Sequence, residues 1–254
     1  MSLHIDSLGS GAPLVLIHGW AMHGGIWDNV VPQLAQQFRV HCVDLPGHGA
    51  SARIAEFDLD TVVEQIAARF DEAVHVCGWS LGGQIAMRWA ESRPEQIQRM
   101  VLVATTPCFV QREGWDHAMA IGVLQEFAAG LSQNYEQTLK RFLALQVRGS
   151  EQERELLADL RARMFSRGKP DIGALRGGLA ILRDTDLRAI LPGLNHEVMV
   201  IAGARDMLTP PAASVHLAQA LGKARLVNVR GAAHVPFLSH PEIFLKGVTG
   251  FLHG

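Results

Sequence analysis

Apolar residues follow two rhythms along the chain. Short runs of four or five residues, at 13–17, 39–43, 74–77, 100–104, 198–202 and 225–229, have the length and branched side chains of strands buried on both faces. Between the first four lie segments 26–38, 59–70 and 81–92, whose apolar positions return every three or four residues, the period of a helix with one buried face. Strand and helix in alternation predict an α/β fold built on a mostly parallel sheet flanked by helices. Residues 3–7, followed by Gly9-Ser10-Gly11-Ala12-Pro13, read as a hairpin arm at an antiparallel edge.

The alternation stops after Thr106 and resumes near Val198. From 108 to 184 the pattern is helical, with segments predicted at 115–131, 135–147, 151–165 and 172–182, separated by glycine-containing breaks. Such an insertion predicts a helical lid over the sheet's carboxyl edge, where open α/β sheets bind ligands. The expected division is a core of 1–108 and 185–254 and an all-helical lid of 109–184.

With 254 residues, 48% of them hydrophobic, the chain can bury one large core. A net charge of −2 gives no overall attraction to nucleic acid or to an anionic membrane. No apolar run approaches the ~18 residues of a membrane span, and the first residues lack the basic and apolar regions of a secretion signal. The expectation is a cytoplasmic monomer that engages neither nucleic acid nor membrane. Cys42, Cys77 and Cys108 form no Cys-x-x-Cys pair and read as reduced core residues; no metal site is expected.

Chemistry enters with Gly78-Trp79-Ser80-Leu81-Gly82, which fits the Gly-x-Ser-x-Gly nucleophile elbow and stands between a strand and a helix as that motif requires. A serine hydroxyl needs a base within hydrogen-bond reach. His234, in the small-residue loop after the last strand, is the candidate, with His240 read as a surface turn residue. The base needs a carboxylate to fix its tautomer. Asp206 follows the run 198–202, at the same sheet edge; Asp184 and Asp186 precede it and read as solvated or capping residues. The backbone N–H groups of Trp20 and Leu81 are the candidate oxyanion donors. His18 is read as a brace for its loop, and 44–49 as a turn shaping the sheet edge.

Together these residues resemble the α/β-hydrolase family, over essentially the whole chain. The likeness is carried by LVLIHGW (14–20), VDLPGHGAS (43–51), CGWSLGGQIA (77–86), TTPCF (105–109) and AAHVPFLSHP (232–241). RFLALQ (141–146) and GGLAILRDTDLR (177–188) narrow it to carboxylesterases of biotin synthesis that demethylate pimeloyl-acyl-carrier-protein methyl ester. The resemblance implies a triad of Ser80, Asp206 and His234, an oxyanion hole at Trp20 and Leu81, and an acyl pocket lined by Phe142, Leu143, Ala144, Leu145 and Gln146. It implies no cofactor and an acyl-carrier protein as partner, with activity on short esters besides.

Residues 137–169 carry eight basic and four acidic side chains, a local net of +4. Arg141, Arg148, Arg154 and Arg161 are candidates for docking the acidic carrier, against the plainer reading of a solvated helix face. Two alternatives remain: another small-substrate serine hydrolase, such as an enol-lactonase or a C–C bond hydrolase, and a catalytically silent binding module.

Overall fold

The computed structural model describes residues 3–254. The strands are β1 (Ile5–Leu8), β2 (Ala12–Ile17), β3 (Phe38–Val43), β4 (Val74–Trp79), β5 (Ile97–Val103), β6 (Glu197–Gly203) and β7 (Ala224–Val229). They form one sheet in the order β1-β3-β2-β4-β5-β6-β7, parallel throughout except where β1 meets β3. β4 is buried at every position and β2 at all but its first, as continuous apolar strands covered on both faces must be. The edge strand β7 fully buries only Val229.

The helices are α1 (Val31–Leu34), α2 (Leu59–Ala67), α3 (Leu81–Ser92), α4 (Ile121–Gln133), α5 (Tyr135–Val147), α6 (Glu153–Met164), α7 (Ile172–Asp184), α8 (Pro211–Ala220), α9 (Pro236–Ser239) and α10 (Pro241–His253). α2 shows how local sequence sets them. The Asp58 carboxylate accepts the Thr61 N–H at 2.9 Å as an N-cap, and Val62, Val63, Ile66 and Ala67 form the buried stripe.

From β2 the chain steps outward to β3, then crosses back to β4 on the other side of β2. Connections leave β2 and β4 in opposite directions, which opens a crevice beyond their carboxyl ends, the usual binding place in such sheets. Between β5 and β6 the chain leaves the sheet, and α6, α5, α4 and α7 pack side by side in that order. Departure and return are pinned together: Cys108 bridges Asp186, and the Leu187 N–H donates to Pro107 O at 2.8 Å. The Asp171 N–H donates to Gly47 O at 2.7 Å, and Arg163 donates to Gly25 O and Asn29 Oδ1. Arg167 pairs with Asp6 and lies 3.7 Å from the fully buried Asp44.

Three sequence expectations change. β1 is an antiparallel edge, but it pairs with β3, not with its neighbour in sequence. Gly9 and Gly11, at φ +85° and +106°, carry the chain across the start of β3, and a side chain at Gly9 would lie 2.4 Å from the Ala35 and Phe38 carbonyls. The expected helix over 26–38 is a short 3-10 turn, Gly24–Trp27, then the brief α1. Pro32 fits only the first turn of a helix, and Phe38 already belongs to β3. The expected helix at 115–131 begins only at Ile121. Trp115 is instead buried beside Cys108 and Ala213, its Nε1–H donating to Cys108 O at 2.8 Å, in a loop turned at Gly114.

All three cysteines are buried and unpaired. Burial pushes the Cys42 thiol up to about 12 and raises those of Cys77 and Cys108.

Candidate active site

β2 and β4 are paired as far as Ile17 and Gly78, so the loops that follow them leave the sheet side by side. Ser80 begins one of these loops with φ +55° and ψ −116°, a conformation that non-glycine residues rarely adopt. Ala21 and Ala104, the other non-glycine residues of positive φ among the described residues, follow β2 and β5 at the same edge. Strain is thus concentrated where the chemistry is expected. The elbow is held by three bonds: Ser80 N–H to Val103 O (2.9 Å), Gly83 N–H to Ser80 O (2.9 Å), and Thr105 Oγ1 to Ser80 O (2.7 Å). Its glycines are steric requirements. A Cβ on Gly78 would lie 2.2 Å from Gly82 O, and one on Gly82 2.3 Å from Ile17 O.

His234 and Asp206 come from the loops after β7 and β6. The Asp206 carboxylate accepts four hydrogen bonds: Leu208 N–H (2.8 Å) and Thr209 N–H (3.0 Å) on Oδ1, Thr209 Oγ1 (2.7 Å) and His234 Nδ1 (2.8 Å) on Oδ2. A carboxylate only accepts, so in the neutral imidazole of His234 the single proton sits on Nδ1 and Nε2 is bare. That nitrogen is buried and makes no hydrogen bond with the protein. The elbow touches the histidine directly, since Trp79 Nε1–H donates to His234 O at 2.8 Å. Ser80, His234 and Asp206 are 2%, 1% and 3% exposed, so the site lies under cover.

Trp20 and Leu81 bracket the serine from the two neighbouring loops. A side chain on Gly19 would lie 3.2 Å from Ser80 Cβ, which measures how closely the Trp20 loop approaches. His18 braces that loop: Leu45 N–H donates to Nε2 at 2.9 Å, so Nδ1 holds the proton and donates to Gly19 O at 2.8 Å. Burial drives its pKa well below the usual histidine range and keeps it neutral. The inserted helices close over these residues. Trp20 Nε1–H donates to Leu175 O at 2.8 Å, and a Cβ on Gly178 would lie 2.6 Å from the Trp20 ring and 3.5 Å from the Leu81 side chain.

Of the residues expected to line the acyl pocket, Phe142 packs edge-on against Trp20, with ring centroids 4.7 Å apart. Gln146, one turn later on the same face, accepts the His234 N–H on its backbone oxygen at 3.0 Å. Its side chain is fully buried with neither polar atom bonded. Leu143 is buried, and Ala144 and Leu145 are half-buried, with Ala144 on the opposite side of α5 from Phe142 and Gln146. Arg141, Arg148, Arg154 and Arg161 are exposed on or beside α5 and α6; Arg141 approaches Glu126 at 3.9 Å and lies over the Phe127 ring. Asp184 and Asp186 pair with Arg183 and Arg188, away from His234, and His240 bonds Ser239.

Sequence reasoning missed Thr105, Thr209 and Arg205. Thr209 had a signal, because an Asp with Thr three residues on is a common capped turn. Among the described residues no three His, Cys, Asp or Glu side chains form a metal-binding group, and no helix is long and apolar enough to cross a membrane.

A central strand ending in a strained serine, with an acid–base pair supplied by the last two strand loops, is the architecture of the α/β hydrolases. Residues 12–241 match the family of the alpha/beta hydrolase fold, and the chain belongs to it. Among curated relatives, a pimeloyl-acyl-carrier protein methyl ester esterase from Nitrosomonas europaea is 48% identical, covering 96% of this chain and 97% of its own. One of the same name from Chromobacterium violaceum is 42% identical over 99% of this chain and 98% of its own. A solved esterase from Exiguobacterium antarcticum shares the fold at TM-score 0.91 and 22% identity, covering 99% of this chain and 96% of that one.

Proposed function

We propose that the chain is a serine carboxylesterase that hydrolyses pimeloyl-acyl-carrier protein methyl ester to the free acid and methanol, in biotin synthesis. The observation that carries the chemistry is the bare Nε2 of His234, fixed by Asp206 on the loop that holds the elbow tryptophan. Full-length likeness to the two named esterases supports the substrate.

The steps follow from the atoms. Ser80 Oγ attacks the ester carbonyl while its proton passes to His234 Nε2. The resulting imidazolium is stabilised by Asp206, and the oxyanion by the N–H groups of Trp20 and Leu81; one such donor is worth about 3–4 kcal/mol. Collapse of the tetrahedral intermediate breaks the bond to the methoxy group, which leaves as methanol with the proton from His234. Water, deprotonated by the same nitrogen, then attacks the acyl-enzyme and releases the acid and Ser80. No cofactor takes part. Phe142, Leu143 and Gln146 line the acyl side, and α4–α7 act as a lid over a core of 1–108 and 185–254.

The exposed Arg141, Arg148, Arg154 and Arg161 form the docking face for the acidic carrier. In this reading the enzyme is a cytoplasmic monomer that also accepts short free esters. Arg141→Glu with Arg154→Glu, or added salt on the wild type, should lower kcat/KM severalfold for the carrier-bound ester and leave p-nitrophenyl acetate nearly unchanged. Equal turnover efficiency on carrier-bound and free methyl esters would overturn the carrier assignment.

A further inference from the structure

The turn between α5 and α6 is bonded to both loops that carry the acid–base pair. At its start, Gln146 O accepts the His234 N–H at 3.0 Å. At its end, the Glu151 N–H donates to Gly231 O at 3.1 Å, three residues before His234. Between them, Arg205, the neighbour of Asp206, donates from Nη1 to Gly149 O at 3.1 Å and from Nη2 to Glu151 Oε1 at 3.3 Å. The Arg205 N–H also donates to Ala232 O at 2.9 Å, so this residue joins three segments: the lid turn, the Asp206 loop and the His234 loop.

The fit is close. Gly231 has φ +81°, and a side chain there would lie 2.6 Å from the Glu151 carboxyl carbon. Within the turn, the Gly149 N–H donates to Glu153 Oε2 at 2.8 Å, which holds the Gly149 carbonyl opposite Arg205. An exposed ion pair contributes little to stability, and the side chains of Arg205 and Glu151 are 48% and 58% exposed. Stability is therefore a weak reason for this arrangement, while geometry is a strong one, since misplacing a reacting group by about 1 Å can cost about a hundredfold in rate.

We infer that Arg205 is a positioning residue: by fastening the α5–α6 turn across the Asp206 and His234 loops, it sets the placement of the histidine relative to Ser80. The inference rests on the triad reading above. It makes the lid part of the acid–base apparatus as well as a cover for substrate.

The test uses purified full-length enzyme with p-nitrophenyl acetate, which needs no carrier, and reads kcat, KM and the rate constant for inactivation by a fluorophosphonate. Arg205→Ala should lower kcat and the inactivation rate constant about three- to tenfold, with KM changed less than about twofold. Arg205→Lys, which can still donate to the Gly149 carbonyl, should recover part of the loss. Thermal melting is followed in parallel, and rates are taken well below the midpoint. A lowered melting temperature with wild-type kcat and inactivation rate would overturn the inference, as would a loss confined to KM. Ser80→Ala serves as the control for the triad itself. If it abolishes turnover while Arg205→Ala has wild-type kinetics, only the positioning role falls; if it leaves turnover intact, the triad reading falls with it.

Discussion

Replacing Asp206 by asparagine isolates the tautomer argument from every other feature of the site. Oδ1 accepts two backbone N–H groups, from Leu208 and Thr209, so the amide oxygen of asparagine must occupy that place. The amide nitrogen is then forced into the position of Oδ2, facing Thr209 Oγ1 at 2.7 Å and His234 Nδ1 at 2.8 Å. The threonine hydroxyl can rotate and accept. The imidazole accepts only by giving up the Nδ1 proton, which moves its single proton to Nε2 and removes the base that Ser80 needs. Each of the four hydrogen bonds to residue 206 keeps a partner, so folding should be nearly unaffected, with melting within a few degrees of wild type. Turnover should fall by about 10⁴, the typical effect of this exchange in serine triads. That is about 5 kcal/mol of transition-state stabilisation. The assay is steady-state hydrolysis of p-nitrophenyl acetate by folded protein, with Asp184→Asn and Asp186→Asn alongside; those two exposed, arginine-paired carboxylates should change kcat less than twofold. Retention of more than about 1% of turnover by Asp206→Asn, or comparable sensitivity of either control, would refute the reasoning.

Two further outcomes follow from burial and packing. Gly82→Ala should lower the melting temperature sharply or prevent soluble expression, because its Cβ would lie 2.3 Å from Ile17 O and 2.8 Å from His18 O, both backbone atoms; thermal denaturation measures it. His48 is buried, with Nδ1 on Pro46 O and Nε2 unbonded, and desolvation pulls its pKa from 6.5 to about 4. The unfolded chain therefore takes up a proton before the folded one does. His48 leaves stability untouched above about pH 6.5 and lowers it by about 1.4 kcal/mol per pH unit down to about pH 4. Urea midpoints between pH 7.5 and 5 should fall less steeply in His48→Gln than in wild type, and parallel slopes would contradict this origin.

The sequence was most readable where cause and effect are local. Val74–Trp79 reads as a buried strand because every residue in it but His75 is apolar or glycine, and the Gly-x-Ser-x-Gly pattern marks Gly78 and Gly82, where a Cβ would lie 2.2 and 2.3 Å from a carbonyl oxygen. The pairing of His234 with Asp206 was legible at one remove, through strand order, because both follow strands that end at one edge. What stayed hidden depends on partners distant in sequence. Nothing in residues 3–13 shows that β1 passes over its neighbour to pair with β3. The bonds of Arg205 to Gly149 and of the His234 N–H to Gln146 O involve backbone carbonyls, which every residue possesses, so no residue type announces them. Residues 115–120 depart from the helix predicted over 115–131 because Trp115 and Met119, at helical spacing, instead bridge Arg112 and Val110 in an irregular loop.

The burial of all three native thiols has a practical side. Because each is shielded and held in the unreactive protonated form, a maleimide dye or spin label offered to the folded protein has no native site of ready attachment. A single cysteine introduced in place of exposed Ser132 or Gln133, at the far end of α4, would take the label alone, without first stripping cysteines from the core. Paired with a second introduced thiol on the outward face of α10, it would turn the wild-type scaffold into a distance gauge. The distance between α4 and the core could then be followed directly during turnover, in a protein whose interior packing has not been altered to make the measurement.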